Sequence, residues 1–216
     1  MRASVLRDGR MVVRDDVPEP VPGPGQVLVA VKACGICGSD LHFAMQPSQM
    51  VRLTQEMKGM AVEGGLRVDL ADDVFMGREF SAEVLEAGPD TDAPPPGKVT
   101  SVPVLSSPKG FEPILSSNNT IGGYSERMLL SAPLLLTLSK GLNVGHAALT
   151  EPMAVGLHAV NKSSIQPRGA ALVIGCGPTG LAIIGALQLR GVKVLPLLII
   201  HTRVASWRRR GAHTRR

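Results

Sequence analysis

A run of 20 residues without a charge, residues 170–189 (AALVIGCGPTGLAIIGALQL), constrains the fold of this chain more than any other stretch. Its length suits a membrane span, but four glycines and Pro178 divide it. The half before the division reads as a strand and the half after it as a helix, so a strand, a glycine turn and a helix are expected in place of a membrane crossing.

The 216 residues, 44% of them hydrophobic, suffice for one large domain or two small ones around a sizeable core, which excludes global disorder. Three cysteines, an odd number, and an opening (MRASVLRDGR) with no basic-then-apolar leader point to a reducing cytoplasm and to free or metal-bound thiols. Charge is unevenly spread. Residues 1–151 hold all 18 acids and 13 bases, a balance of −5, whereas residues 152–216 hold 10 bases and no acid. Six of those bases fall in the last sixteen residues, HTRVASWRRRGAHTRR, a composition that can meet phosphates.

The first 35 residues alternate and break like short strands: ASVL, RMVVRDD, the turn cluster PEPVPGPG, then QVLVAVKA. An all-β module is the expectation. Residues 43–74 suit a loop or short helices, EFSAEVLEAG and VTSVPVL read as strands, and residues 106–119 show only loop signals. GGYSERMLLSA resumes strand character, and LNVGHAALTEPMAVGLHAVNKS carries helical spacing between Gly141 and Pro167.

The stretch CGICGSDLH, residues 34–42, carries the chemistry. A thioredoxin-like redox pair needs a βαβ context, but hairpin-like β precedes this one. A structural zinc site needs two more thiols or histidines at matching spacing, and only the distant Cys176 is on offer. A catalytic metal site with few protein ligands remains. It would use a thiolate, a carboxylate to orient it, and a hydroxyl and imidazole to carry protons.

With these residues the sequence resembles the zinc-dependent medium-chain alcohol dehydrogenases, through PGPGQVLVAVKACGICGSDLH, MGREFSAEVLEAG, LTEPMAVGLHAV and ALVIGCGPTGLAIIGALQLRG in that order. The resemblance covers about residues 1–195. It implies an α/β chain with a β-rich part: an N-terminal GroES-like β domain (residues 1–150), then an incomplete Rossmann, or doubly wound, NAD(P)-binding domain (151–200), then an aberrant basic tail (201–216). By resemblance, Cys37 is the first ligand of the catalytic zinc, Asp40 the carboxylate behind it, and Ser39 and His42 the groups that relay the substrate proton. Cys34 matches no ligand and reads as a small buried hydrophobe.

The second ligand position departs from the family, whose Gly-His-Glu is replaced by GREF, with Arg78 where the histidine would be. Arginine keeps its proton and has no lone pair for a metal. Glu79 is the nearest replacement ligand, and weakened or lost zinc binding is the expected outcome. Glu151 matches the third ligand, although on its residue type alone it reads as a carboxylate favoured at a helix start. His158, on the same helix, reads as packed or capping. Residues 99–119, where many relatives hold a second, structural zinc, contain no cysteine, so one zinc site at most is expected.

The turn Gly175-x-Gly177-Pro178-Thr179-Gly180 stands between a strand and a helix, the context in which such glycines seat a pyrophosphate. The strand VKVLPLLII should end near an acid that grips the ribose, but no acid follows Glu151, and Pro196 is out of place in a central strand. A chain whose end has been replaced, as by a shifted reading frame or a truncated gene, is the expectation, with the apolar surface from Leu181 to Ile200 exposed. The inherited function is reversible oxidation of an alcohol to a carbonyl with hydride transfer to NAD or NADP, impaired here. The alternatives are an inactive remnant that only binds ligand, or a basic interaction protein acting through residues 201–216. Nucleic acid and membrane are not expected partners. Homo-oligomers form in the family, but the shortened second domain argues against one.

Overall fold

A computed structural model describes residues 1–56, 68–92, 97–107 and 110–197. The basic tail, 201–216, lies outside the described residues. The chain divides into two compact units, Met1–Glu151 and Pro152–Arg216.

The first unit is built from antiparallel strands. β1 (Ala3–Arg7) and β2 (Arg10–Arg14) form a hairpin turned by Asp8 and Gly9, both at positive φ, and β4 (Val74–Phe75) pairs on the far side of β1. Asp73 fastens this small sheet by ion pairs at 2.6 Å to Arg7 and 2.7 Å to Arg14. A five-stranded sheet follows the order β10 (Leu135–Thr137), β6 (Lys98–Ser101), β5 (Phe80–Ala87), β3 (Gln26–Cys34), β9 (Arg127–Ser131). β3 lies inside it, and Val27, Val29, Phe80, Ala82, Met128 and Leu130 from β3, β5 and β9 form its core. Val and Leu on alternate positions supply the stiff side chains that a half-buried pleated surface favours.

Residues 106–119, read as loop from the sequence, hold a second hairpin, β7 (Val104–Ser107) with β8 (Gly110–Pro113). Its ladder is short, and Ser, Lys and Gly hide the alternation that betrays longer strands. VTSVPVL is two strands, not one: β6 ends at Ser101 and β7 starts at Val104, with Pro103, which has no N–H for a ladder, between them. The stretch 43–74 begins with helices, α1 (Gly38–Met45) and α2 (Pro47–Glu56).

The second unit starts within α4 (Thr150–Lys162), which follows the short α3 (Val144–Ala147). β11 (Ala170–Ile174), α5 (Pro178–Leu189) and β12 (Lys193–Leu197) then make a strand–helix–strand unit with β12 parallel to β11. Gly156 of α4 touches α5 backbone to backbone: a Cβ there would stand 2.5 Å from the Ala182 carbonyl carbon. Arg190 ties the same helices by donating to the Val160 carbonyl at 3.0 Å and to Asn161 Oδ1 at 2.5 Å. Val160, Val173, Ala186, Leu187 and Val192 form the core. Pro196 sits within β12, opposite Val173, where a strand with one partner among the described residues tolerates the lost donor. Leu172, Ile174, Leu181, Leu189 and Leu195 are exposed. No helix among the described residues is long and apolar enough to cross a membrane.

Candidate functional site

The register of one strand pair assembles the first half of the site. Cys34, the last residue of β3, lies opposite Phe80, the first of β5, so the chain leaving β3 and the chain entering β5 meet at one sheet edge. The ladder between β3 and β5 shifts register twice on its way there, with Leu85 of β5 unpaired at the first shift and Lys32 of β3 at the second. The Gly35 N–H donates to the Glu79 carbonyl at 2.6 Å. A Cβ on Gly35 would come within 2.4 Å of Glu79 Oε2, so this glycine makes the room in which the carboxylate lies.

Two residues on, Cys37 caps α1. Its carbonyl accepts from the Asp40 N–H at 3.0 Å, which leaves its sulfur to accept from the Ser39 hydroxyl at 3.0 Å. Asp40 enters the first turn, where an acid complements the helix dipole, and is only 3% exposed. Phe43, one turn later, anchors α1 against Leu6, Val74 and Met76. His42, on the same helix three residues after Ser39, faces solvent.

Asp40 has two partners, one of which the sequence did not suggest. Tyr124, the only tyrosine of the chain, donates its phenol to Asp40 Oδ2 at 2.8 Å. Gly77, at φ +100°, and Gly123 let the segment run close enough to deliver it: the Gly123 N–H donates to the Gly77 carbonyl at 2.7 Å, and the Tyr124 N–H to the Met76 carbonyl at 3.2 Å. Burial and Asp40 push the phenol above its ordinary pKa, so it stays a donor. The signal was the lone tyrosine behind a Gly-Gly pair. The second partner is Arg78, whose Nη2 lies 3.6 Å from Asp40 Oδ1, too far for a hydrogen bond. Asp40 Oδ1 and Arg78 Nε are both buried and make none.

Glu79 is buried. Glu151, in the first turn of α4, is half-buried; burial first and Glu79 second push its carboxyl up, while Arg78 pulls it down and Asp40 raises it. Cys34 is half-buried, and burial pushes its thiol up to about 12, the behaviour of a packing thiol. His158 is neither packed nor a cap: it is exposed on α4, whose buried face is Pro152, Gly156 and Val160.

The structure therefore brings Cys37, Ser39, Asp40, Arg78 and Glu79 to one region. Among the described residues no group of three His, Cys, Asp or Glu side chains is placed to hold a metal ion. The Arg78 guanidinium, 3.6 Å from Asp40 Oδ1, offers no lone pair.

In the second unit, Gly175 turns the chain at φ +95°, a conformation that side chains disfavour. Gly177 caps α5 without a side-chain hydrogen bond, and Pro178 opens the helix, so the first-turn amides have no side-chain cap. Gly180 presses α5 onto the turn, since a Cβ there would stand 1.9 Å from the Gly175 carbonyl oxygen. Around Gly177, by contrast, a Cβ would meet nothing within 4 Å. Pro178 and Thr179 are exposed beside it.

Residues 23–140 match the family model of the alcohol dehydrogenase GroES-like domain. The (R,R)-butanediol dehydrogenase of Bacillus subtilis (strain 168) is 32% identical over 200 residues, 88% of this chain and 56% of that protein. The crystal structure of 2R,3R-butanediol dehydrogenase from Bacillus subtilis superposes with a TM-score of 0.69 at 26% identity, covering 97% of this chain and 67% of that one. A dehydrogenase structure from Sinorhizobium meliloti 1021 bound to NADP gives 0.70 at 27% identity, over 95% of this chain and 59% of that one. The chain belongs to the zinc-type medium-chain alcohol dehydrogenase family, with a GroES-like first domain. It spans about half the length of the curated relatives it matches.

Proposed function

We propose that the chain carries parts of an alcohol–carbonyl oxidoreductase that exchanges hydride with NAD or NADP, and that the turn between β11 and α5 is the seat of the dinucleotide pyrophosphate. The observation that carries this reading is the division of labour among three glycines. Gly175 needs its positive φ, Gly180 needs its missing Cβ for packing, and Gly177 has no internal reason to be glycine. Its open surroundings at a helix N-terminus suit a phosphate that must approach the backbone closely. Hydride transfer is the cofactor's chemistry, and the protein's share is to bind and orient it.

The proton side of the reaction falls to α1. The Ser39 hydroxyl, which lies at the Cys37 sulfur, would accept the proton of the alcohol while releasing its own toward the solvent-facing His42, whose ring takes that proton up and gives one to water. Small alcohols or carbonyls are the substrates. Calorimetric titration of the full chain with NADH and NADPH tests the cofactor seat, with Gly177→Ala as the comparison. That variant keeps the melting temperature, because its new methyl meets nothing, and loses most of the binding. Equal binding in both chains, or none in either, would refute the seat.

A further inference from the structure

We infer that Arg78 is this chain's internal replacement for the metal cation: its guanidinium balances the carboxylates that a dication would otherwise balance, and in doing so keeps zinc from Cys37. The inference stands apart from the dinucleotide seat, and its readouts are metal content and stability, so either can fail alone.

Two carboxylates beside Arg78 are buried, Asp40 and the next residue in the chain, Glu79. Buried carboxylates repel one another and are costly to desolvate, so a compensating cation is required. Arg78 answers this. Its Nη2 lies 3.6 Å from Asp40 Oδ1. The fit is loose. Asp40 Oδ1 and Arg78 Nε are both buried without a hydrogen bond, which suggests a guanidinium placed in a pocket whose acceptors are not shaped for its planar fork. The Cys37 thiol accepts from Ser39 at 3.0 Å, and among the described residues no group of three ligand side chains is placed to hold a metal ion. A fixed positive charge, which arginine cannot shed, then opposes any dication that two weak ligands might attract.

The test compares the full chain with Arg78→His and Arg78→Met. After equilibration with zinc and removal of the excess, elemental analysis should find substoichiometric metal in the parent. Arg78→His, which supplies a lone pair and removes the charge, should bind zinc about tenfold tighter or more. With cobalt(II) in place of zinc, only the histidine variant should show a thiolate-to-metal absorption band, lost again on adding Cys37→Ser. Zinc should raise the melting temperature of Arg78→His and leave that of the parent unchanged. Arg78→Met should melt below the parent, because it leaves Asp40 unbalanced. Stoichiometric zinc in the parent that disappears in Cys37→Ser or Glu79→Ala would overturn the inference, since Glu79 would then be completing a site beside Arg78. An Arg78→Met chain as stable as the parent would overturn the compensating role.

Discussion

Replacing Tyr124 by phenylalanine isolates the hydrogen bond from the GGY segment to Asp40 of α1. The ring remains, so its packing beside Leu6, Phe43, Val74 and Met76 is kept. What is lost is the phenol that donates to Asp40 Oδ2 at 2.8 Å. Asp40 is 3% exposed and its other oxygen makes no hydrogen bond, so no water-facing position is available to the orphaned lone pairs. A hydrogen bond to a charged group contributes about 1.5–3 kcal/mol. At about 2–4 °C per kcal/mol for a chain of this size, Tyr124→Phe should lower the melting temperature by about 3–12 °C. Thermal and urea unfolding followed by far-UV circular dichroism measure both quantities without relying on the removed tyrosine. The loss should shrink in an Asp40→Asn background, where the buried charge is gone. A loss under about 0.5 kcal/mol, the range of an uninvolved surface change, would refute the claim that the phenol satisfies a buried carboxylate.

Gly180→Ala forces a methyl to within 1.9 Å of the Gly175 carbonyl, so despite alanine's better helix propensity it should destabilise the second unit by about 1–3 kcal/mol, read by urea denaturation. Gly156→Ala meets the Ala182 backbone at 2.5 Å and should cost a similar amount, about 1–3 kcal/mol, while a Gly177→Ala chain melts with the parent. Burial pushes the Cys34 thiol up to about 12. At pH 8 roughly one Cys34 in ten thousand is then thiolate, and iodoacetamide followed by peptide mass spectrometry should label Cys37 and Cys176 well before it.

The elements legible in the sequence were those whose pattern is long or whose punctuation is strong. QVLVAVKA and EFSAEVLEAG alternate for most of a strand length, and β3 and β5 are where they were expected. The glycine turn at 175–180 sits between β11 and α5 because Pro178 and the positive φ of Gly175 admit few other conformations. The β7–β8 hairpin was not legible, since two four-residue strands carry too little alternation to stand out from loop. Within the site, residue types pointed to Cys37, Ser39, Asp40 and His42 on one stretch, and those four do share α1 and its cap. Tyr124, 84 positions from Asp40, could not be paired with it from spacing, because the strand register and three close-packed glycines make that contact. His158 was misread because a helical position alone does not say which face is buried.

Hydrogen exchange of the full chain with and without NADPH, resolved to peptides, addresses the cofactor seat at the residues that define it. The account predicts slower exchange confined to amides in residues 175–181, the turn and first turn of α5, and no such slowing in Gly177→Ala. Saturating NADPH that leaves those amides unchanged, or protects only residues of the first unit, would contradict it.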